Sequence, residues 1–135
     1  MNDLIFQELL KQFWELGKSI GFSRIHTRAD RYASEVYLIN RHALQIEIDW
    51  REYDLFMYVV YLKDGELPNE NVIYSYDDGH WCRKFVEDIY HTNLPNVKDR
   101  NQRYSQKYLF ERFERYRALI ENDPQKLAEF YESIA

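Results

Sequence analysis

Cysteine occurs once in the 135 residues, at Cys82, which excludes an internal disulfide and any paired-cysteine zinc site and points to a reducing compartment. Glycine occurs four times, at Gly17, Gly21, Gly65 and Gly79, too thinly spread for a phosphate-cradling loop, so nucleotide-dependent catalysis is not expected. No uninterrupted apolar run approaches the roughly 20 residues that span a bilayer. The first eight residues carry Asp3 and Glu8 where a signal peptide needs basic residues. These absences together predict a cytosolic (cytoplasmic) chain with no membrane association. There is also no internal repeat, low-complexity tract or linker, so residues 1–135 read as one domain.

What is abundant is aromatic. Tyr, Phe and Trp make up 17% of the chain, with 12 tyrosines among them, inside a 45% hydrophobic total. A chain of this size buries roughly two-thirds of its unfolded surface in a single core, so flat rings must fill much of that core. Tyrosine also needs a partner or water for its hydroxyl, which places many of these rings at the core edge or at an interface.

From Asp3 to Ile20, Ile5, Leu9, Phe13, Leu16 and Ile20 recur at steps of three and four, with Phe6, Leu10 and Trp14 widening the stripe, which predicts an amphipathic helix. Asn2 or Asp3 caps its start, Gly21 ends it in the left-handed conformation, and Gly17 weakens its middle. The period then changes. Glu35–Ile39 is short and β-prone, and Leu44, Ile46, Ile48 and Trp50 alternate with Gln45, Glu47 and Asp49, the pattern of a strand with one core face and one wet face. Leu55–Leu62 is apolar almost throughout and reads as a central strand covered on both sides. Asn40–His42 and Arg51–Asp54 are the expected turns, and Asp64-Gly65 marks a tight hairpin. Val72–Tyr76 is the expected fourth strand, at an edge. A short helical pattern follows, in which Phe85, Ile89 and Trp81 share a face. A second long stripe, Leu109, Phe113, Tyr116 and Ile120, predicts a helix from about Asn101 to Glu121, and Asp123-Pro124 restarts a last helix with Leu127, Phe130, Tyr131 and Ile134 on its buried side. The fold class expected is α+β: an N-terminal helix, an antiparallel meander of about four strands, and C-terminal helices on one face.

The net charge of −5 is unevenly distributed. Between Leu44 and His80, nine acids (Glu47, Asp49, Glu52, Asp54, Asp64, Glu66, Glu70, Asp77 and Asp78) stand against Arg51 and Lys63, leaving −7, whereas Lys18–His42 carries +3 and Lys98–Arg117 carries +4. An acidic sheet region repels phosphate backbones and steers a basic protein toward it. Glu47, Asp49, Glu52, Asp54, Asp64 and Glu66 are therefore the expected partner contacts. Tyr53 and Trp50 are candidate aromatic anchors, with Trp50 better suited to the core. The basic stretch Arg100, Arg103, Lys107, Arg112, Arg115 and Arg117 suits nucleic acid in isolation. Glu111 and Glu114 neutralise part of it, so no nucleic-acid partner is expected.

Catalytic constellations are sparse. His80-Trp81-Cys82 is too short for a zinc site, which needs four ligands in defined pairs, so neither metal nor other cofactor is expected. Cys82 with His80 or His91 is the one conceivable nucleophile and base, and a small cysteine-dependent enzyme is the alternative reading. A lone cysteine beside buried Phe85 is more often a small core residue.

The order helix, meander, C-terminal helices, with Ile46–Asp54 running on through Tyr58–Pro68, resembles the small immunity proteins of bacterial toxin systems. The resemblance implies a cytosolic single-domain, non-enzymatic protein that binds a cognate toxin domain and blocks it. These proteins share no catalytic signature, so the resemblance carries no residue roles over to this chain.

Overall fold

A computed structural model describes residues 3–69, 75–76, 78–94 and 104–134. The N-terminal helix α1 runs Asp3–Ser19 and buries Ile5, Leu9, Phe13 and Leu16. Gly21, at φ 97°, lets the chain leave it. Four strands follow in chain order, β1 (Arg24–Ala29), β2 (Ala33–Ile39), β3 (Ala43–Asp49) and β4 (Asp54–Val60); the short β5 (Arg83–Phe85) completes an antiparallel sheet ordered β1-β2-β3-β4-β5. One helical turn, α2 (Val86–Ile89), leads on to α3 (Gln106–Asn122) and α4 (Pro124–Ser133).

The register explains how the sequence fills the sheet. Toward the helices, Val36, Ile46 and Met57 stand in one cross-strand row and Leu38, Leu44 and Val59 in the next. All six are buried and meet Leu9, Phe13, Leu109 and Phe113 in the main core. Phe13 and Phe113 pack edge to face across that layer, with centroids 6.2 Å apart. Each such side chain contributes about 1.5–3 kcal/mol on burial, so the helical layer is fixed by its apolar stripes rather than by helix propensity.

The α+β architecture is as expected, and five differences in detail have physical causes. The sheet has five strands rather than about four, because β1 was not recognisable. All but one of its residues are exposed, so Arg24–Ala29 carries no apolar alternation to read. The expected edge strand Val72–Tyr76 lies mostly outside the described residues. Its Ser75 makes an isolated bridge to Trp81, and the observed edge is β5, where a helix had been expected. Phe85 and Ile89 do not share a face: Phe85 packs into a second cluster on the far side of the sheet, while Ile89 joins the main core. Finally, the polar face of β3 is not wet. Gln45 is only 1% exposed because Tyr37, Tyr58, Leu62 and Leu67 cover that side of the sheet.

The turns follow the residue chemistry closely. Asp64 (φ 55°) and Gly65 (φ 77°) both take positive φ in the hairpin closed by the Glu66 amide donating to the Lys63 carbonyl, 3.0 Å. Asp123 caps α4 by accepting from the Lys126 amide, with Pro124 at the first helical position. Ser105 likewise caps α3, which begins later than the expected Asn101; residues 101–103 lie outside the described part.

Candidate partner-binding surface

The β3–β4 turn is built by its own side chains. Asp49 Oδ1 accepts from the amides of Arg51 (2.9 Å) and Glu52 (3.0 Å), an Asx-type closure that commits Asp49 to the backbone. Tyr53 then adopts φ 49°, so its ring packs edge to face on Trp50 (6.0 Å) and on Tyr104 (6.1 Å). Trp50 is buried, its indole nitrogen donating to Ser34 Oγ at 2.8 Å, and so belongs to the core rather than to a contact surface.

Beside this turn lies the β1–β2 turn, closed by Asp30 Oδ1 accepting from the Tyr32 and Ala33 amides at 2.7 and 2.9 Å. The Trp50 amide donates to the Tyr32 carbonyl at 2.8 Å and joins the two turns. The Tyr32 ring is held between two guanidinium groups, Arg31 at 5.5 Å and Arg51 at 5.1 Å. Tyr32 is nevertheless 48% exposed and Tyr104 is 53% exposed. One end of the sheet therefore presents Arg31, Tyr32, Arg51, Glu52, Tyr53 and Tyr104 together. Tyrosine and arginine are the residue types in which interface energy concentrates. The sequence reading had placed only Glu52 and Tyr53 here, because the spatial neighbours come from three separate segments.

One of the expected contacts, Asp54, is withdrawn by burial. Asp54 is buried, its carboxylate 3.6 Å from the guanidinium of Arg112, and no partner can reach it. Arg112, read from sequence as part of a basic helix surface, is 1% exposed. Its Nε donates to the Leu55 carbonyl (3.3 Å), Nη1 to the Leu94 carbonyl (2.9 Å) and Nη2 to the Tyr116 hydroxyl (3.4 Å). Tyr116 in turn donates to the Glu87 carboxylate at 2.9 Å, and burial pushes the Glu87 carboxyl up. Glu47 is also engaged, in an ion pair with Arg83 at 3.0 Å.

Asp64 and Glu66 are exposed, but they sit on the hairpin past the C-terminal end of β4, whereas Glu52 precedes its start. Seven residues of strand at about 3.3 Å each separate them by roughly 20 Å, so the acidic set is divided between the two ends of the sheet.

The catalytic candidates are likewise dispersed. Cys82 is buried, and burial pushes its thiol up, away from the thiolate a nucleophile requires. His80 is exposed and its Nδ1 lies 3.1 Å from Asp78, while His91 is exposed on a turn at φ 53°. Among the described residues no three His, Cys, Asp or Glu side chains are placed to hold a metal ion, and no helix is long and apolar enough to cross a membrane. A thiol so placed should react with a disulfide reagent only as the chain unfolds. Labelling of native protein as fast as labelling in denaturant would restore the cysteine-dependent reading.

Comparison of the chain with protein-family models, with curated proteins and with solved structures finds no match.

Proposed function

We propose that this protein is a non-enzymatic binding module that docks on a cognate protein, a toxin domain of the kind that small immunity proteins neutralise. The observation that carries the reading is the surface at the β1–β2 and β3–β4 turns. Its rings are held in place by Trp50 and by the two arginines, so little side-chain freedom is left to lose on association. Glu52 supplies the acidic contact at this surface. Asp64, Glu66 and the net charge of −5 act at longer range, steering a basic partner rather than touching it.

The test takes as its probes the toxin domains encoded beside this chain in its genome, identified first by reading that neighbourhood, with affinity measured by calorimetry. Tyr32→Ala and Tyr104→Ala should each cost roughly 2 kcal/mol, about thirtyfold in Kd. Glu52→Lys should slow association and flatten its salt dependence. Wild-type affinity in the Tyr32→Ala/Tyr104→Ala double variant would remove this surface from the interface, and absence of any complex would end the binding-module reading itself.

A further inference from the structure

The sheet face turned away from the helices carries a cavity of about 140 Å³ whose lining includes Arg28, Glu35, Tyr37, Gln45, Glu47 and Arg83. Its polar lining comes from four strands or their flanks. The register places Arg28 opposite Glu35, and Glu35 opposite Glu47, in one cross-strand row. Tyr37 and Gln45 stand together in the adjoining row.

The charges in this cavity are only half matched. Glu47 is paired with Arg83, whose guanidinium lies over the Tyr58 ring at 4.1 Å. Arg28 and Glu35 are cross-strand neighbours, yet among the described residues they form no ion pair within 4.0 Å. Arg28 is turned aside, donating to the Pro68 carbonyl at 2.7 Å and resting on the Tyr37 ring. Glu35 accepts from the Tyr37 hydroxyl. At the floor, Gln45 is 1% exposed and, among the described residues, its Nε2 has no hydrogen-bond partner. A buried donor left unmade destabilises the fold, and a ligand acceptor placed there would relieve that loss. Cavity, unmade donor and unmatched charges are three separate observations at one place.

We propose that this cavity binds a small zwitterion of amino-acid size, its carboxylate taken by the Arg28 guanidinium and the Gln45 amide and its ammonium by the Glu35 carboxylate. A simple anion leaves Glu35 without a counter-charge, and a simple cation leaves Arg28 and the Gln45 donor unserved. A molecule bearing both charges a few ångströms apart serves all three. The volume equals that of about five waters at liquid density, enough for glycine or alanine. The site is separate from the tyrosine and arginine surface, so neither proposal depends on the other.

The experiment is isothermal calorimetry and thermal denaturation of the intact chain with glycine, L-alanine, L-phenylalanine, acetate and ethylammonium. Glycine or alanine should raise the thermal midpoint and bind at least tenfold more tightly than acetate or ethylammonium. Phenylalanine, with the same two charges, should bind no more tightly than alanine. Arg28→Gln, Glu35→Gln and Gln45→Leu should each weaken binding at least tenfold, while Glu129→Gln, at an exposed position of α4, leaves it unchanged. Circular dichroism of each variant separates loss of binding from loss of fold, which matters at Arg28 because its side chain is half-buried and holds the Pro68 carbonyl. Equal binding of acetate or ethylammonium would reduce the site to a simple ion site. No response to glycine or alanine, or wild-type affinity in folded Arg28→Gln and Glu35→Gln, would overturn the proposal.

Discussion

Replacing Arg112 with methionine should destabilise the protein by about 3–5 kcal/mol, because removing one partner of a buried ion pair leaves the other charge uncompensated. The guanidinium binds α3 to the start of β4 and to the segment ending at Leu94 through three acceptors, two backbone carbonyls and a tyrosine hydroxyl. Without it, Asp54 is stranded in the core and the Leu55 and Leu94 carbonyls lose their donors. A loss of this size lowers the thermal midpoint by on the order of 10 °C for a domain of this length. Arg112→Lys should recover little, since an ammonium cannot reach three separated acceptors as the planar fork does. Asp54→Asn added to Arg112→Met should restore part of the loss by removing the orphaned charge. Urea unfolding of wild type, Arg112→Met, Asp54→Asn and the double variant closes the cycle. A cost for Arg112→Met below about 1 kcal/mol would mean that the network contributes nothing net.

Gly17→Val should be the second severe substitution, at about 3 kcal/mol, the upper end of core overpacking. A Cβ at Gly17 would stand 2.6 Å from Leu38 Cδ1 and 3.0 Å from Cδ2. Leu38 is fully buried in the row it shares with Leu44 and Val59, so it yields only by disturbing β2. Glycine's low helix propensity, read from sequence as a weakness of α1, is therefore what lets α1 approach the sheet. Alanine sets the same Cβ against Leu38 while recovering up to about 1 kcal/mol of helix propensity. The two effects oppose each other, and Gly17→Ala should lie between wild type and Gly17→Val in denaturant midpoint. If Gly17→Val unfolds at the wild-type midpoint, the helix is not seated as closely as the geometry requires.

What was legible in the sequence was local. The 3.6-residue stripe of α1, the alternation of β3, the Asp64-Gly65 hairpin and the Asp123-Pro124 restart each announce themselves within a few residues, because backbone preference and side-chain period act at that range. What was not legible required a distant partner. Asp54 and Arg112 look like surface charges when each is taken with its sequence neighbours, and only the packing of α3 on β4 shows that they face each other. Gln45 and Glu47 read as a solvated face because nothing in β3 announces the tyrosines and the Arg83 stem that cover them. Of the candidate surface, Glu52 and Tyr53 were visible as an acidic turn. Tyr32 and Tyr104 were not, since a tyrosine ordered by flanking arginines or another ring has no sequence signature distinguishing it from one in the core.

The edge strand β1 is joined to the rest of the molecule through its ladder to β2 and through Arg28 and His26 against Tyr37 and Pro68, and its side chains otherwise bury little. An edge strand that buries so little belongs to the low end of the range of local opening free energies. Arg28 stands on that strand. Any molecule that uses Arg28 must therefore also hold β1 in register, and its apparent affinity is reduced by the fraction of the population in which the strand is undocked. Order in β1 and occupancy of the cavity are in this way a single linked equilibrium, with the cavity's outermost strand also carrying its anion-binding group.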